Sequence, residues 1–346
     1  MSLEYAPLLT LDIIVDSADM TSTNCILREN KDTLIGRGTL DAMVAQRDEL
    51  LSSRGFRVPA RWDHSWNYKF GPTWTPEAMT ENGGHPVYWY RPEEMIEETD
   101  NEGSCVEWTS QKETNNLEQN TVTMMPDIVQ SGPRNFQYLD FDGTRKTLQM
   151  ESNAMGGGTN SRFLIVFYVK LDPNTDANET MLLKGSNYTV NNGWSLRYDW
   201  SGSNRDLQWK VGNQTITATN VQALTTDSQI IVCGQKNNDR GTPLPFCYVY
   251  DGFNAAASTT WGSSSGSVTN SNKPQIGRAS FLGSDYFEGI VYELIMVEED
   301  DTVVSAPEWD EMETLLTGYI AHKYGRTELL PDDHTYKSAI PRANIT

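Results

Sequence analysis

Three of the carboxylates in the segment 308-EWDEMET-314, Glu308, Asp310 and Glu313, stand close together in the chain. Two carboxyl groups converging on one bond from facing positions, roughly 5 to 10 Å apart, are what hydrolysis of a glycosidic bond requires. Whether these acids could do that depends on the element that carries them. Across 305-SAPEWDEMETLLTGYIAHKYG-325 the apolar residues Trp309, Met312, Leu315, Leu316, Tyr319, Ile320 and Tyr324 form one stripe at helical spacing. The ends agree with a helix. Ser305 and Glu308 make a capping-box pair, Pro307 sits in the first turn, and Gly325 is placed to stop the helix. On a helix each residue advances about 100°, so Glu308 and Asp310 point roughly 200° apart. The triplet is therefore expected to be a solvated helix face and not a catalytic pair.

Other chemistry is equally hard to assemble. The G-x-S-x-G match 262-GSSSG-266 falls in the polar loop STTWGSSSGS, not on a strand-to-helix turn, and Ser, His and Asp form no nucleophile arrangement. His322 falls inside the C-terminal helix and His334 in the turn after it, both expected as packed or solvated groups. The stretch 156-GGGTNS-161 lacks the lysine and following helix of a phosphate loop and reads as a hairpin loop. Cys25, Cys105, Cys233 and Cys247 contain no CxxC pair and no histidine partner, which argues against zinc. Cys233 and Cys247 could face each other on neighbouring strands, but buried free thiols are the preferred reading. No catalytic residue and no metal ligand is assigned.

Charge narrows the partners. The formal net charge of −20 over 346 residues repels nucleic acid and anionic membrane, and leaves a basic partner, a neutral polymer such as glycan, or calcium. With 38% hydrophobic and 21% charged residues the composition is that of a folded, turn-rich protein. The first twenty residues carry no basic residue and no long apolar run, so neither a secretory signal nor a membrane anchor is expected there. Synthesis and folding in a reducing host cytoplasm follow as the expectation.

The supporting elements fall into zones. Up to about Phe70, a strand-like run at Leu8 to Val15 is followed by a helical pattern over 39-TLDAMVAQRDELL-51 and an aromatic, Arg-rich stretch, 54-RGFRVPARWDHSWNYKFGPTWTP-76. That stretch either lays side chains on another surface or packs on its own β domain. From about Trp74 to Glu298 come short alternating runs separated by Gly, Asn, Asp and Ser, such as 163-FLIVFYVKL-171, 194-WSLRYDW-200, 207-LQWKVG-212 and 246-FCYVYDG-252. This is the pattern of an antiparallel sandwich, and the lack of interspersed helices excludes a doubly wound fold. In 194-WSLRYDW-200, Trp194, Leu196, Tyr198 and Trp200 share one face while Ser195, Arg197 and Asp199 share the other.

The order of several short motifs adds a family resemblance. The run 318-GYIAHKYGRTELLPDDHTYKSAIP-341 is similar to the closing segment of concanavalin A-like, laminin-G-type domains. The stretches 74-WTPEAM-79 and 88-YWYRPEEMI-96 resemble the family's opening strand. In order after them come 106-VEWTSQ-111, Gln119, Pro126, 139-LDFDGTRKTL-148, 193-GWSL-196 and 288-EGIVYELIMV-297, which resemble its later markers. The match runs from about Trp74 to Lys337. Three departures fall in turns: no Ser-Gly follows Trp108, Thr335 replaces the usual proline, and Thr147 stands where a second Asp is expected. The last removes a ligand from any calcium site at Asp140 and Asp142, which Asp-Gly turn chemistry explains without metal.

The resemblance implies an all-β, concanavalin A-like, two-sheet antiparallel jelly-roll sandwich with an N-terminal extended or helical arm and a short C-terminal helix. The expected division is an anchoring arm over 1–73, the jelly roll over 74–337 and a tail over 338–346. Domains of this type mostly bind glycans or protein partners, and those with this opening and closing grammar are common in bacteriophage virions. The expectation is a non-enzymatic virion structural or decoration protein, anchored by its arm to other capsid or tail proteins, as a homo-oligomer or not, at the virion surface. The alternative is a phage tail or fibre adhesin that binds host-surface glycan, with a β-glucan hydrolase further behind. For assembly, Phe56, Arg57, Arg61, Trp62, Trp66 and Tyr68 have the composition enriched at interfaces. For glycan, the face bearing Arg197, Asp199 and Lys210, with Trp261 in a polar loop, offers planar polar groups beside an aromatic; a solvated sheet face is the alternative reading.

Overall fold

The computed structural model describes residues 11–15, 25–29, 33–38, 75–76, 86–99, 103–111, 115–130, 136–155, 161–171, 178–186, 191–201, 204–218, 228–237, 242–251, 260–262, 266–278, 285–299, 306–338 and 340–341. The chain packs as two units, Met1–Trp74 with Ala339–Thr346, and Thr75–Ser338. The helical pattern over 39–51 and the aromatic, Arg-rich residues Phe56, Arg57, Arg61, Trp62, Trp66 and Tyr68 lie outside the described residues. In the first unit, β1 (Leu11–Val15), β2 (Cys25–Glu29) and β3 (Thr33–Gly38) make a three-stranded antiparallel sheet. Only the first of these strands stands out in the sequence. The runs CILRE and TLIGRG mix charge and glycine into five or six residues, too short for an alternation to register.

The second unit contains β4 (Val87–Tyr90), β5 (Met95–Glu97), β6 (Cys105–Trp108), β7 (Leu117–Glu118), β8 (Asp127–Val129), β9 (Tyr138–Asp142) and β10 (Leu148–Met150). It continues with β11 (Phe163–Leu171), β12 (Glu179–Lys184), β13 (Trp194–Ser201), β14 (Asn204–Val211), β15 (Gln214–Ala218) and β16 (Gln229–Asn237). The remaining elements are β17 (Pro243–Tyr250), β18 (Thr260–Trp261), β19 (Gln275–Ile276), β20 (Glu288–Glu298) and one α-helix, α1 (Ala306–Tyr324). The strands form two antiparallel sheets. One has nine strands in the order β15-β14-β13-β12-β19-β10-β7-β6-β5; the other has eight, β18-β17-β16-β11-β20-β9-β8, with β4 also paired to β20.

The sandwich core follows from the alternation. Trp194, Leu196 and Tyr198 of β13, Leu207, Trp209 and Val211 of β14, and Phe163, Ile165 and Phe167 of β11 all point between the sheets and are buried. Trp194 and Trp209 lie with ring centroids 5.8 Å apart, and Phe163 closes on Trp209 at 6.1 Å. Each indole N–H finds a backbone carbonyl, Trp194 Nε1 donating to Met155 O (3.0 Å) and Trp209 Nε1 to Gly234 O (2.9 Å), so the rings enter the core without an orphaned donor.

β11 is buried on both faces because α1 covers the far side of the eight-stranded sheet, packing on β11 and β16. The helix stripe is the one the spacing predicts: Trp309, Met312, Leu316, Tyr319, Ile320 and Tyr324 are buried, while Leu315 is half-buried. Its end is a Schellman turn. Arg326 N–H donates to Ala321 O (2.7 Å), Gly325 N–H to His322 O (3.2 Å), and Gly325 takes φ +68°, which a side chain would resist. Beyond it the chain folds back on the helix. His322 Nε2 donates to Tyr336 O (2.7 Å), and Gly318 lets Tyr336 approach so closely that an added Cβ would sit 2.7 Å from the tyrosine Cβ.

Beneath α1 lies a buried ionic cluster. Glu293 of β20, with no exposed surface, accepts from Trp89 Nε1 (2.7 Å), Lys323 Nζ (2.7 Å) and Tyr324 Oη (2.8 Å). The Lys323 ammonium also stands over the Phe136, Tyr319 and Tyr324 rings at 5.1 to 5.7 Å. Three donors and a ring cage are the compensation a buried ion pair needs.

Candidate functional site

The acidic triplet is on a helix, as its spacing predicts, but it is not a solvated face throughout. Lys236 Nζ of β16 reaches Asp310 Oδ1 at 2.6 Å and Glu313 Oε2 at 2.5 Å. Asp310 is largely exposed, whereas the Glu313 side chain retains only 13% of its surface and lies between the helix and the sheet. Burial pushes the Glu313 carboxyl up, and Lys236 pulls it back. Burial opposes the charge of Lys236, yet the two carboxylates hold its pKa above the ordinary value. The correction has a simple cause. Helical periodicity shows which residues are apolar, but not that a lysine some seventy residues upstream will meet the polar flank. These acids clamp α1 to the sandwich.

A different set of polar residues does converge. On the face of the nine-stranded sheet turned away from the core, strand pairing lines up one residue from each strand. From edge to edge these are Thr215, Lys210, Ser195, Leu183, Gln275, Gln149, Glu118, Glu107 and Ile96. Their partners one position along, such as Trp194, Leu182, Ile276 and Leu148, are core residues, which fixes the row on the opposite face. Neighbouring members sit about 4.8 Å apart, the strand spacing. Thr215 is exposed at one end and Ile96 is 46% exposed at the other, while Leu183, Ser195 and Gln275 in the middle keep 4% or less.

Glu118 and Glu107 are direct cross-strand partners, and Glu151, immediately after β10, joins them. Partial desolvation raises the Glu118 pKa; so do the Glu151 charge and a Glu118–Glu151 hydrogen bond, with Glu107 adding less and Lys273 opposing. Glu107 Oε1 is held by Asn116 Nδ2 (2.8 Å) and Thr109 Oγ1 (3.1 Å), and the Glu151 carboxylate accepts from Asn116 N–H (3.0 Å). Gln275 is 4% exposed, and its amide is not among the buried polar atoms left without a partner among the described residues. Local sequence pattern does not mark this group, because β7 and β19 are two residues long and β10 is three. Alternation cannot be read over two residues; the one available signal was the acidic residue after Leu117 within the 106–119 marker stretch.

Of the residues expected to meet glycan, Arg197, Asp199 and Lys210 do share this outer face, on β13 and β14. Arg197 is 8% exposed and lies 3.7 Å from both Asp199 and Asp285, while Asp199 also accepts from Gln208 Nε2 (2.8 Å). Burial lowers the Lys210 pKa. Trp261 is elsewhere: it lies on β18, the edge strand of the eight-stranded sheet, so the structure does not put it on the face of the other three.

The Asp140–Asp142 segment is turn chemistry. Asp142 Oδ1 accepts from Thr144 N–H (3.0 Å) and Thr144 Oγ1 (2.7 Å), and Gly143 takes φ +72°. With Lys170 and Glu288 these residues line a small cleft where β9, β11 and β20 meet. Cys233 and Cys247 stand directly opposite each other on β16 and β17, and are buried free thiols.

No family model matches the chain, and no curated protein matches it. Solved structures similar to it include domain 4 of an extracellular arabinanase from Geobacillus stearothermophilus, in complex with arabinotriose. Identity is 11%, 67% of this chain and 85% of that one are covered, and the TM-score is 0.36. An arabinofuranosidase complexed with arabinofuranosyl-alpha-1,2-xylobiose aligns at 10% identity over 68% of this chain and 63% of its own, with a TM-score of 0.44. The CBM40 of a Ruminococcus gnavus IT-sialidase aligns at 12% identity over 46% and 94%, with a TM-score of 0.31. At these values the likeness lends no function to the chain.

Proposed function

We propose that this chain is a non-enzymatic, lectin-like recognition module that binds glycan on the outer face of its nine-stranded sheet, carried at the surface of a phage virion as an adhesin. The observation that carries the binding reading is the polar row across the strands of this sheet, whose partly exposed members Gln149, Glu118 and Glu107 set planar hydrogen-bonding groups side by side. Sugar hydroxyls need such groups on a rigid floor, and a sheet holds them better than loops do. The virion placement rests on the resemblance of the sequence to concanavalin A-like domains of phage particles. Decoration of a capsid through the 54–76 stretch is the second form of that placement.

The carboxyl geometry favours binding over hydrolysis. Glycosidases keep their two carboxyl groups about 5 Å or more apart so that the bond lies between them. Here Glu107 is engaged by Asn116 and Thr109, and the Glu151 carboxylate by the Asn116 N–H, so two of the acids at this end are held by structural donors. The test is retention of the purified full chain on an array of immobilised glycans, with reducing-sugar release from the same polymers followed in parallel. Retention without release is expected; release that is lost in Glu118→Gln would make the chain a hydrolase. Immunogold labelling of purified phage particles tests the placement, and particles that never label would remove it.

A further inference from the structure

We infer that Cys233 and Cys247 form a redox-sensitive latch, a pair that a small oxidising disulfide closes into a cross-strand bridge stapling β16 to β17. The two cysteines are direct partners in the ladder, and both belong to the core between the sheets. The neighbours of β17 fix what kind of pair they make. Pro245 O accepts from Gly262 N–H (2.8 Å), so the polar groups of Pro245 face the β18 side. Backbone polar groups alternate sides along a strand, so those of Cys247, two residues on, face β18 as well. The prolines agree. Pro243 and Pro245 lack the N–H that a position facing β16 would have to give. Cys233 and Cys247 are therefore a non-hydrogen-bonded pair.

That geometry is the one a bridge needs. In a non-hydrogen-bonded pair the Cα atoms stand about 4.5 Å apart, and the Cβ atoms about the same. A disulfide spans Cα separations of about 4.4 to 6.8 Å and Cβ separations of about 3.5 to 4.5 Å, so it closes here without a shift of register. The two side chains already sense each other: burial raises the Cys233 pKa, and the neighbouring Cys247 raises it further. Cys105 is the internal contrast. It stands across from Glu97 on β5, and its Sγ donates to Glu107 O (3.3 Å).

The place of the pair gives an oxidant its route. Burial keeps both thiols protonated in the closed fold, so exchange waits for an opening. β17 lies one strand in from the edge of its sheet, beside the two-residue β18, and it packs across the core on β14 and β15, the last two strands of the other sheet. Such an edge opens locally at lower cost than the centre of the sandwich. Two exchanges then complete the bridge. One cysteine thiolate attacks the small disulfide RSSR and releases RS−, leaving a mixed disulfide; the second thiolate attacks the protein sulfur of that bond and releases the other RS−. The cysteine protons pass to the two RS−, the cysteines lose two electrons, and RSSR becomes two RSH. The bridged strands also carry Lys236, three residues beyond Cys233, and with it the anchor of α1.

The experiment incubates the full chain with oxidised glutathione in three arms: without urea, in urea below the unfolding transition, and in urea above it. Each sample is then unfolded and its free thiols are labelled with iodoacetamide. Before oxidation all four cysteines should label. After it, in the first two arms, Cys233 and Cys247 should no longer label while Cys105 still does, and peptide mapping should join Cys233 to Cys247. Closure should be faster in the second arm than in the first, and a reductant should restore all four thiols. The bridged protein should unfold at a higher urea midpoint than the reduced one. Cys247→Ala should leave Cys233 labelled and remove that shift. Cys233 and Cys247 still labelling after oxidation in both of the first two arms, whatever the third shows, would overturn the inference. So would glutathione retained on either residue in place of the bridge, or a bridge from either to Cys25 or Cys105.

Discussion

Replacing Lys236 by methionine isolates what the acidic segment of α1 does. The lysine side chain is 7% exposed and holds Asp310 at 2.6 Å and Glu313 at 2.5 Å. Methionine keeps most of the aliphatic volume, so packing changes little and the lost group is the ammonium. Glu313 is then left between helix and sheet with no cation. Breaking one side of a buried pair costs about 3 to 5 kcal/mol. The remaining access of water to Glu313 places the expected loss near the low end, about 3 kcal/mol. Asp310→Ala, on the exposed arm of the clamp, should cost less than about 1 kcal/mol. The double variant Lys236→Met/Glu313→Leu removes both charges and should recover to within about 1 kcal/mol of wild type. Urea unfolding followed by tryptophan fluorescence reads all of these, since Trp309 lies on α1 and is buried against the sandwich. A Lys236→Met loss under 1 kcal/mol, or a double variant no more stable than the single one, would refute the clamp. Glu313→Gln should leave glycan retention untouched; its loss with an intact fold would reopen the case for chemistry at this segment.

Three further outcomes follow. His334 accepts from Tyr336 N–H at Nδ1 and so must be neutral with its Nε2 proton on Thr317 Oγ1, and burial pushes its pKa down to about 4. The unfolded chain then takes up the proton first. Stability, full above about pH 6.5, should fall as the pH drops toward 4, a slope that His334→Gln flattens in pH-dependent unfolding. Glu293→Ala should cost about 3 to 5 kcal/mol by stranding the buried Lys323, and a thermal shift of less than a few degrees would contradict that role for the cluster. Burial pushes the Cys105 thiol up to about 12 and the Cys233 and Cys247 thiols up as well. All three should resist iodoacetamide in the native protein and react in urea, as counted by intact mass; rapid native labelling would show that the core opens.

The long elements were legible because each repeats its own period several times. β13 shows alternation over eight residues and α1 shows its stripe over five turns, so both faces of one and the buried side of the other could be assigned from sequence. The candidate site was not, because it is made of register and not of local pattern. Glu118, Gln149 and Gln275 sit on strands of two or three residues and become neighbours only through pairings that span up to about 126 positions. Charge on Arg197, Asp199 and Lys210 was visible because those strands are long, and it drew attention to the far end of the same face. Trp261 was grouped with them by composition, and chain tracing sends it to the other sheet.

The closure of the eight-stranded sheet bears on how the molecule is made. β4 pairs with β20 across some two hundred residues, and α1 arrives after both. Until the ribosome has released the helix, β11 and β16 show water an aromatic and aliphatic surface built for burial, and Glu293 has no lysine. The nascent sandwich is thus a sticky half-product until α1 emerges, and the helix that follows its last strand is also its seal.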